Sequence, residues 1–204
     1  MNFYKKATFV KSIIDLKDLE NRKNEVIFIG KSNVGKSSLI NALTNNSKLA
    51  FTSKKPGHTR LLNYFLIDDS FYFVDSPGYG YSQKKDVDYT FYGDMLEKYF
   101  ENNKYLKLVV FLLDSRHLPT DDDYDFYKFL ISYNYPFCIA LTKCDKLNQS
   151  EKSKIYKNLK DKLDVTKENS LILLTSSKDD RSLLILKETI DHYIALEDNP
   201  PPEL

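Results

Sequence analysis

The stretch "EVIFIGKSNVGKSSLI", Glu25 to Ile40, constrains the fold more than any other part of the chain. An apolar run of strand character stops at Gly30, a further glycine follows at Gly35, and a helix-forming segment begins at Lys36. The spacing is GxxxxGK[ST] in strand-to-helix context, and such a loop turns its backbone N–H groups inward at a helix N-terminus. A polyphosphate fits that cradle. The stretch carries two Gly-Lys-Ser triplets, and the spacing selects the second: Lys36 is placed for the β and γ phosphates and the Ser37 hydroxyl for Mg²⁺. Lys31 and Ser32 fall on the outer curve of the loop, so the charge of Lys31 is accessory.

The rest of the chain repeats the strand-then-helix alternation. Strands are expected at Glu25 to Ile29, Leu62 to Ile67, Phe71 to Asp75, Leu108 to Asp114, Phe137 to Leu141 and Leu171 to Leu174. Helices are expected at Lys36 to Leu43, Tyr89 to Asn102, Asp121 to Tyr133, Ser150 to Leu163 and Ser182 to Leu196. Only a turn at Asp69 and Ser70 separates the second and third strands, too short for a parallel crossover, so they form an antiparallel hairpin. The expected fold is a three-layer α/β/α P-loop NTPase of small-GTPase type. Its sheet is mostly parallel, with about six strands and one antiparallel strand at an edge. With 204 residues the chain suits one such domain at residues 25–196, preceded by an extension at 1–24 packed on it and followed by a loose tail at 197–204.

Loops leaving the carboxyl ends of the strands carry the remaining signals, because ligands of open α/β sheets bind there. "DSPG", Asp75 to Gly78, offers a carboxylate for water-mediated Mg²⁺ contact and a glycine N–H for the γ phosphate. "TKCD", Thr142 to Asp145, ends in a carboxylate able to accept the N1–H and 2-amino groups of guanine, which adenine lacks. "TSSK", Thr175 to Lys178, can turn backbone N–H groups of Thr175, Ser176 and Ser177 towards the guanine oxygen. A site built on such hydrogen bonds rejects an analogue without them by about 10⁴-fold, which disfavours ATP. The expected ligands are GTP and GDP with Mg²⁺.

Composition excludes other classes. Thirty basic against 29 acidic residues leave a net charge of +1, so no global field selects nucleic acid or anionic lipid. No apolar run reaches the ~18 residues of a membrane helix, and the first ten residues lack the apolar segment of a secretion signal. A soluble, cytoplasmic protein with no membrane partner is expected. Cys138 and Cys144 match no zinc or redox spacing and read as reduced thiols.

Taken together, "FIGKSNVGKSSLINAL", "SKKPGHTRLLNYF", "VDSPGYGYS", "LLDSRHLPTDDD" and "LTKCDKL", in that order, resemble the EngB (YihA/YsxC) ribosome-biogenesis GTPases, of the TrmE-Era-EngA-YihA-Septin-like group of translation-factor-related GTPases. The resemblance implies a GTPase needed for assembly of the large ribosomal subunit, whose loss impairs cell division and septation. It implies a phosphate loop at Gly30, Lys31, Ser32, Asn33, Val34, Gly35, Lys36, Ser37 and Ser38. Thr59 would be a switch threonine adding a second hydroxyl to Mg²⁺, with Gly57, His58, Arg60 and Leu61 along the phosphates. Asp75, Ser76, Pro77, Gly78, Thr142, Lys143, Cys144, Asp145, Thr175, Ser176 and Ser177 would complete the nucleotide site. Several positions depart from the usual family wording: Lys31 for arginine, His58 and Arg60 around the threonine, Ser76 for an apolar residue, Cys144 for alanine, and Asp180 near an expected glycine. None removes a phosphate, magnesium or base contact. His58 reads either as a pH-sensitive group or as a solvated loop histidine.

Ras-like GTPases carry a glutamine after DxxG to orient the attacking water; here that position is Tyr79, read as a packing or partner-contact residue. Slow intrinsic hydrolysis follows. The group taken as catalytic is Lys36, Thr59 and Gly78, joined by Asn33 if it holds K⁺ against the phosphates, as in related GTPases with asparagine there. The alternative is that Asn33 only caps the tight loop. The lysines and tyrosines of "GYGYSQKKDVDYTFYGD" suit either contact with ribosomal RNA or an exposed helix start. Two functions remain open: a nucleotide switch, monomeric and acting on a large-subunit precursor, or a GTP-dependent binding module or division-site scaffold with negligible turnover.

Overall fold

The computed structural model describes residues 3–50, 61–80, 87–101, 103–163 and 171–196. Among the described residues are seven strands: β1 (Ala7–Ile13), β2 (Glu25–Gly30), β3 (Leu62–Ile67), β4 (Phe71–Asp75), β5 (Leu106–Asp114), β6 (Phe137–Thr142) and β7 (Leu171–Leu174). They form one sheet in the order β1-β3-β4-β2-β5-β6-β7. Five α-helices accompany them: α1 (Lys36–Leu43), α2 (Val87–Phe100), α3 (Asp121–Tyr133), α4 (Gln149–Leu163) and α5 (Asp180–Ala195).

The sheet departs from expectation at one edge. β3 pairs antiparallel with β4, as the short turn requires, but it also pairs antiparallel with β1, which occupies the edge outside it. The sheet therefore has seven strands rather than six, and its antiparallel member lies one place in. β1 hides from a pattern search for a physical reason. Of its residues only Ile13 is buried, and the register slips between Phe9 and Lys11, which breaks the alternation a half-buried strand would show.

Central strands read as unbroken apolar runs because both faces are covered. Alternate residues of β2 and β5 face opposite sides: Ile27, Ile29, Val109 and Phe111 join the core beneath α2, α3 and α4, while Val26, Phe28, Val110 and Leu112 join the core beneath α1 and α5. Each such side chain contributes roughly 1.5–3 kcal/mol by leaving water. Polar anchors set the helix positions. At the start of β2 the fully buried Glu25 carboxylate receives the Arg22 guanidinium at 2.9 Å and the Tyr99 hydroxyl at 2.9 Å, which fastens the end of α2 to the sheet. Burial pushes this carboxyl above its usual range, against the pull of Arg22 and Tyr99.

Helix ends are set by local chemistry. Thr120 and Asp123 form a reciprocal capping box at the start of α3, and Asn134 in the left-handed region (φ 54°) closes that helix. Asp179 caps α5 through the N–H of Arg181. The start of α1 differs: Gly35, at φ 111°, precedes it and no side chain caps it. A residue with a Cβ would be strained there.

Candidate functional site

The loops leaving the carboxyl ends of β2, β4, β5, β6 and β7 meet around the start of α1. Gly30 is required at the end of β2 by space: a Cβ there would lie 2.8 Å from the Leu112 carbonyl oxygen and 2.9 Å from Val34 Cγ1. Asn33 adopts φ 65° and Gly35 φ 111°, so the loop closes through two left-handed residues before α1 begins. The Val34 carbonyl accepts the Thr142 hydroxyl at 2.7 Å, and the Asn33 carbonyl accepts Lys143 Nζ at 2.8 Å. Thr142 and Lys143 therefore brace the loop from β6.

Lys36 Nζ lies 2.7 Å from Asp75 Oδ1, and the Ser37 hydroxyl lies 3.4 Å from Asp75 Oδ2. Asp75 is 5% exposed, and its Oδ1 accepts no aligned hydrogen bond despite the ion contact. A nearly buried carboxylate oxygen held by charge alone beside a serine hydroxyl is a suitable donor set for a hard divalent cation. Ser76, unusual by the family wording, is buried with its hydroxyl donating to the Phe28 carbonyl at 2.9 Å, so it ties β4 to β2. Gly78 packs directly on the loop: a Cβ there would fall 2.8 Å from both Ser32 Cα and Ser32 N.

The far wall comes from β6 and β7. Asp145 accepts the Ser176 hydroxyl at 2.7 Å, and that bond holds its carboxyl below the usual range. The Cys144 N–H donates to the Thr175 carbonyl at 3.3 Å, so the two loops are stitched together. Gly35, Ser38, Thr142, Lys143, Asp145, Thr175, Ser176 and Ser177 line an open cleft of about 210 Å³, with Lys146 and Lys178 at its walls. The structure thus gathers expected residues of the first, third and last loops around one cleft running from Gly35 and Ser38 to Asp145. Gly57, His58, Thr59 and Arg60 lie outside the described residues, while Leu61 directly precedes β3. Cys138 and Cys144 are free buried thiols, and burial raises Cys138 to about 12.

The partners of three residues escaped the sequence reading. Asp114, at the end of β5, accepts Lys143 Nζ at 2.8 Å and Arg116 at 2.8 Å. Partial burial alone would raise its carboxyl, but Arg116 and Lys143 hold it far below the carboxylate range. An acid at a strand end ahead of the TKxD lysine was the available signal. Lys31 turns away from the cradle, with Nζ 3.2 Å from Asp122 and 3.3 Å from the Thr120 hydroxyl. Tyr79 is buried, donates to Asp123 Oδ1 at 2.6 Å and stacks on Phe126 with ring centroids 5.0 Å apart. Sequence had marked it as a packing or partner residue without naming these neighbours.

Comparison with known proteins places the chain. Residues 25–143 match the family pattern described as "50S ribosome-binding GTPase". The "Probable GTP-binding protein EngB" of Clostridium kluyveri is 42% identical over 193 residues, covering 93% of this chain and 98% of that protein. The crystal structure of a probable GTP-binding protein engB superposes with a TM-score of 0.66 at 25% identity, covering 83% of this chain and 98% of the other. Era, solved in complex with MgGDPNP and nucleotides 1506–1542 of 16S ribosomal RNA, superposes with a TM-score of 0.64 at 25% identity, covering 89% of this chain and 60% of that one. With a cradle after β2, an acid at the end of β4 and a second acid after β6 all at the carboxyl end of the sheet, and with identity of this extent along nearly the whole chain, the protein belongs to the EngB family, within the 50S ribosome-binding GTPases.

Proposed function

We propose that the protein binds GTP and GDP with Mg²⁺, hydrolyses GTP slowly, and acts in the cytoplasm as a monomeric nucleotide switch in assembly of the large ribosomal subunit, so that its loss impairs division and septation. The observation that carries the nucleotide reading is the single cleft joining the uncapped start of α1, with Lys36 and Ser37 on it, to the Asp145–Ser176 pair. A helix start whose N–H groups no side chain takes up suits a phosphate chain. The carboxylate of Asp145, held ionised by Ser176, suits the two N–H groups on the guanine edge.

Ser37 and, through water, Asp75 would hold Mg²⁺, and Thr59 would add its hydroxyl; the ion supplies neutralisation of phosphate charge. Lys36, drawn onto Asp75, is already aimed at the cradle and exchanges one anionic partner for another when phosphate binds. Slow turnover follows from Tyr79. The side chain where Ras-like enzymes orient water is buried, and its hydroxyl is committed to Asp123. Asn33, on the exposed turn of the loop, is the residue for an activating K⁺. Support for an RNA partner comes from Era, a structural neighbour crystallised with both a guanine nucleotide and ribosomal RNA. A scaffold with negligible turnover would share the cleft and differ in rate.

The test is nucleotide competition. Wild type discriminates against ATP, and Asp145→Asn lowers GTP affinity on the order of 100-fold or more while gaining xanthosine triphosphate. A variant that keeps its preference for guanine shows that Asp145 does not read the base.

A further inference from the structure

The start of α3 holds two separate parts of the nucleotide site at once. Its Asp123 takes three hydrogen bonds: Oδ2 accepts the Thr120 N–H at 2.7 Å and the Thr120 hydroxyl at 2.8 Å, and Oδ1 accepts the Tyr79 hydroxyl at 2.6 Å. The capping box that starts the helix is therefore also the anchor of the loop after β4. One residue earlier, Asp122 takes Lys31 from the phosphate loop at 3.2 Å, and Thr120 lies 3.3 Å from the same ammonium.

Between these two tethers the backbones touch. Lys31 and Tyr79 form a parallel bridge, the Ser32 N–H donates to the Tyr79 carbonyl at 3.1 Å, and the Ser32 hydroxyl donates to the Gly78 carbonyl at 3.3 Å. Gly78 has no room for a side chain against Ser32, and Gly80, at φ 79°, lies on the other side of Tyr79. An amide that senses the third phosphate has to sit close to the cradle that holds the first two. Gly78 has no side chain to hold it there, and its own tie to the cradle is the single long bond from the Ser32 hydroxyl to its carbonyl.

We infer that Tyr79 and Asp123 are positioning residues for the γ-phosphate contact: the helix end fixes the phenol, and the phenol fixes the Gly78 amide against the phosphate loop. This rests on the nucleotide reading above. The pair is suited to the task because it is sequestered, with Tyr79 5% and Asp123 6% exposed, so water does not compete for the bond. A hydrogen bond to a carboxylate is stronger and shorter than a neutral one, and it is lost completely if the loop swings out. Burial, with Asp123 beside it, keeps the phenol protonated and donating throughout the ordinary pH range. Phe126 holds the ring face, so the hydroxyl can be removed without emptying the pocket.

The experiment compares a non-hydrolysable GTP analogue with GDP by equilibrium binding to the full chain, for wild type, Tyr79→Phe and Asp123→Asn, with thermal melting as the check on folding. The expected result is loss of analogue affinity of about 5- to 10-fold in Tyr79→Phe, with GDP affinity changed less than about twofold. Asp123→Asn shows the same selective loss, and serves alone if the tyrosine variant fails to fold. Equal losses for both nucleotides, unchanged affinities, or tighter binding of the analogue overturn the inference. If wild type itself binds neither nucleotide, it is the underlying nucleotide reading that fails.

Discussion

Asn33 bears a burden out of proportion to its size. Its backbone turns the phosphate loop through φ 65°, and its carbonyl receives Lys143, so the residue has a structural task whatever its side chain does. The side chain decides whether a cation serves where glutamine is lacking. If it holds K⁺, turnover in potassium buffer exceeds that in sodium by about 10-fold or more, and Asn33→Ala removes the difference. Equal rates in the two salts, or full potassium activation in the alanine variant, rule out that role. At this scale the sequence was legible where spacing alone sets a position, as it does for Lys36 at the start of α1 and Asp75 at the end of β4. It was opaque for the partners of Tyr79, Asp114 and Lys31, which are fixed only once β4, β5 and α3 are placed side by side.

Elements report a similar division. The limits expected for β3, β4, β7, α1 and α3 match those observed. β1 was missed because an edge strand with a bulge and four exposed residues looks like loop to any test of alternation. Its contribution rests largely on Ile13, 2% exposed and packed in the core beneath α2, α3 and α4. Ile13→Ala is expected to cost roughly 2–5 kcal/mol in urea unfolding. The ratio of GTP to GDP affinity stays at the wild-type value, since β1 is three strands removed from β2. A changed ratio would mean that the edge of the sheet communicates with the cleft.

The whole molecule presents the nucleotide cleft at one end of the sheet and the Glu25 anchor of α2 at the other. The double-sided core and that anchor are the parts of the fold that stay still. Co-sedimentation with large ribosomal subunits separates switch from scaffold: binding under a GTP analogue should exceed binding under GDP by about 5-fold or more, the range of typical coupling between two sites. Indifference to the nucleotide would leave the scaffold reading standing. No helix among the described residues is long and apolar enough to cross a membrane.

The irregularity of β1 has a consequence for how copies of the chain meet. A flat outer strand offers a ready row of donors and acceptors on which a second molecule can continue the sheet. Here the slip between Phe9 and Lys11 interrupts that row midway, and the opposite border, β7, is only four residues long. Phe9 and Val10 are exposed on that interrupted border. Growth into ribbons is discouraged at both margins, by a kink at one and by brevity at the other.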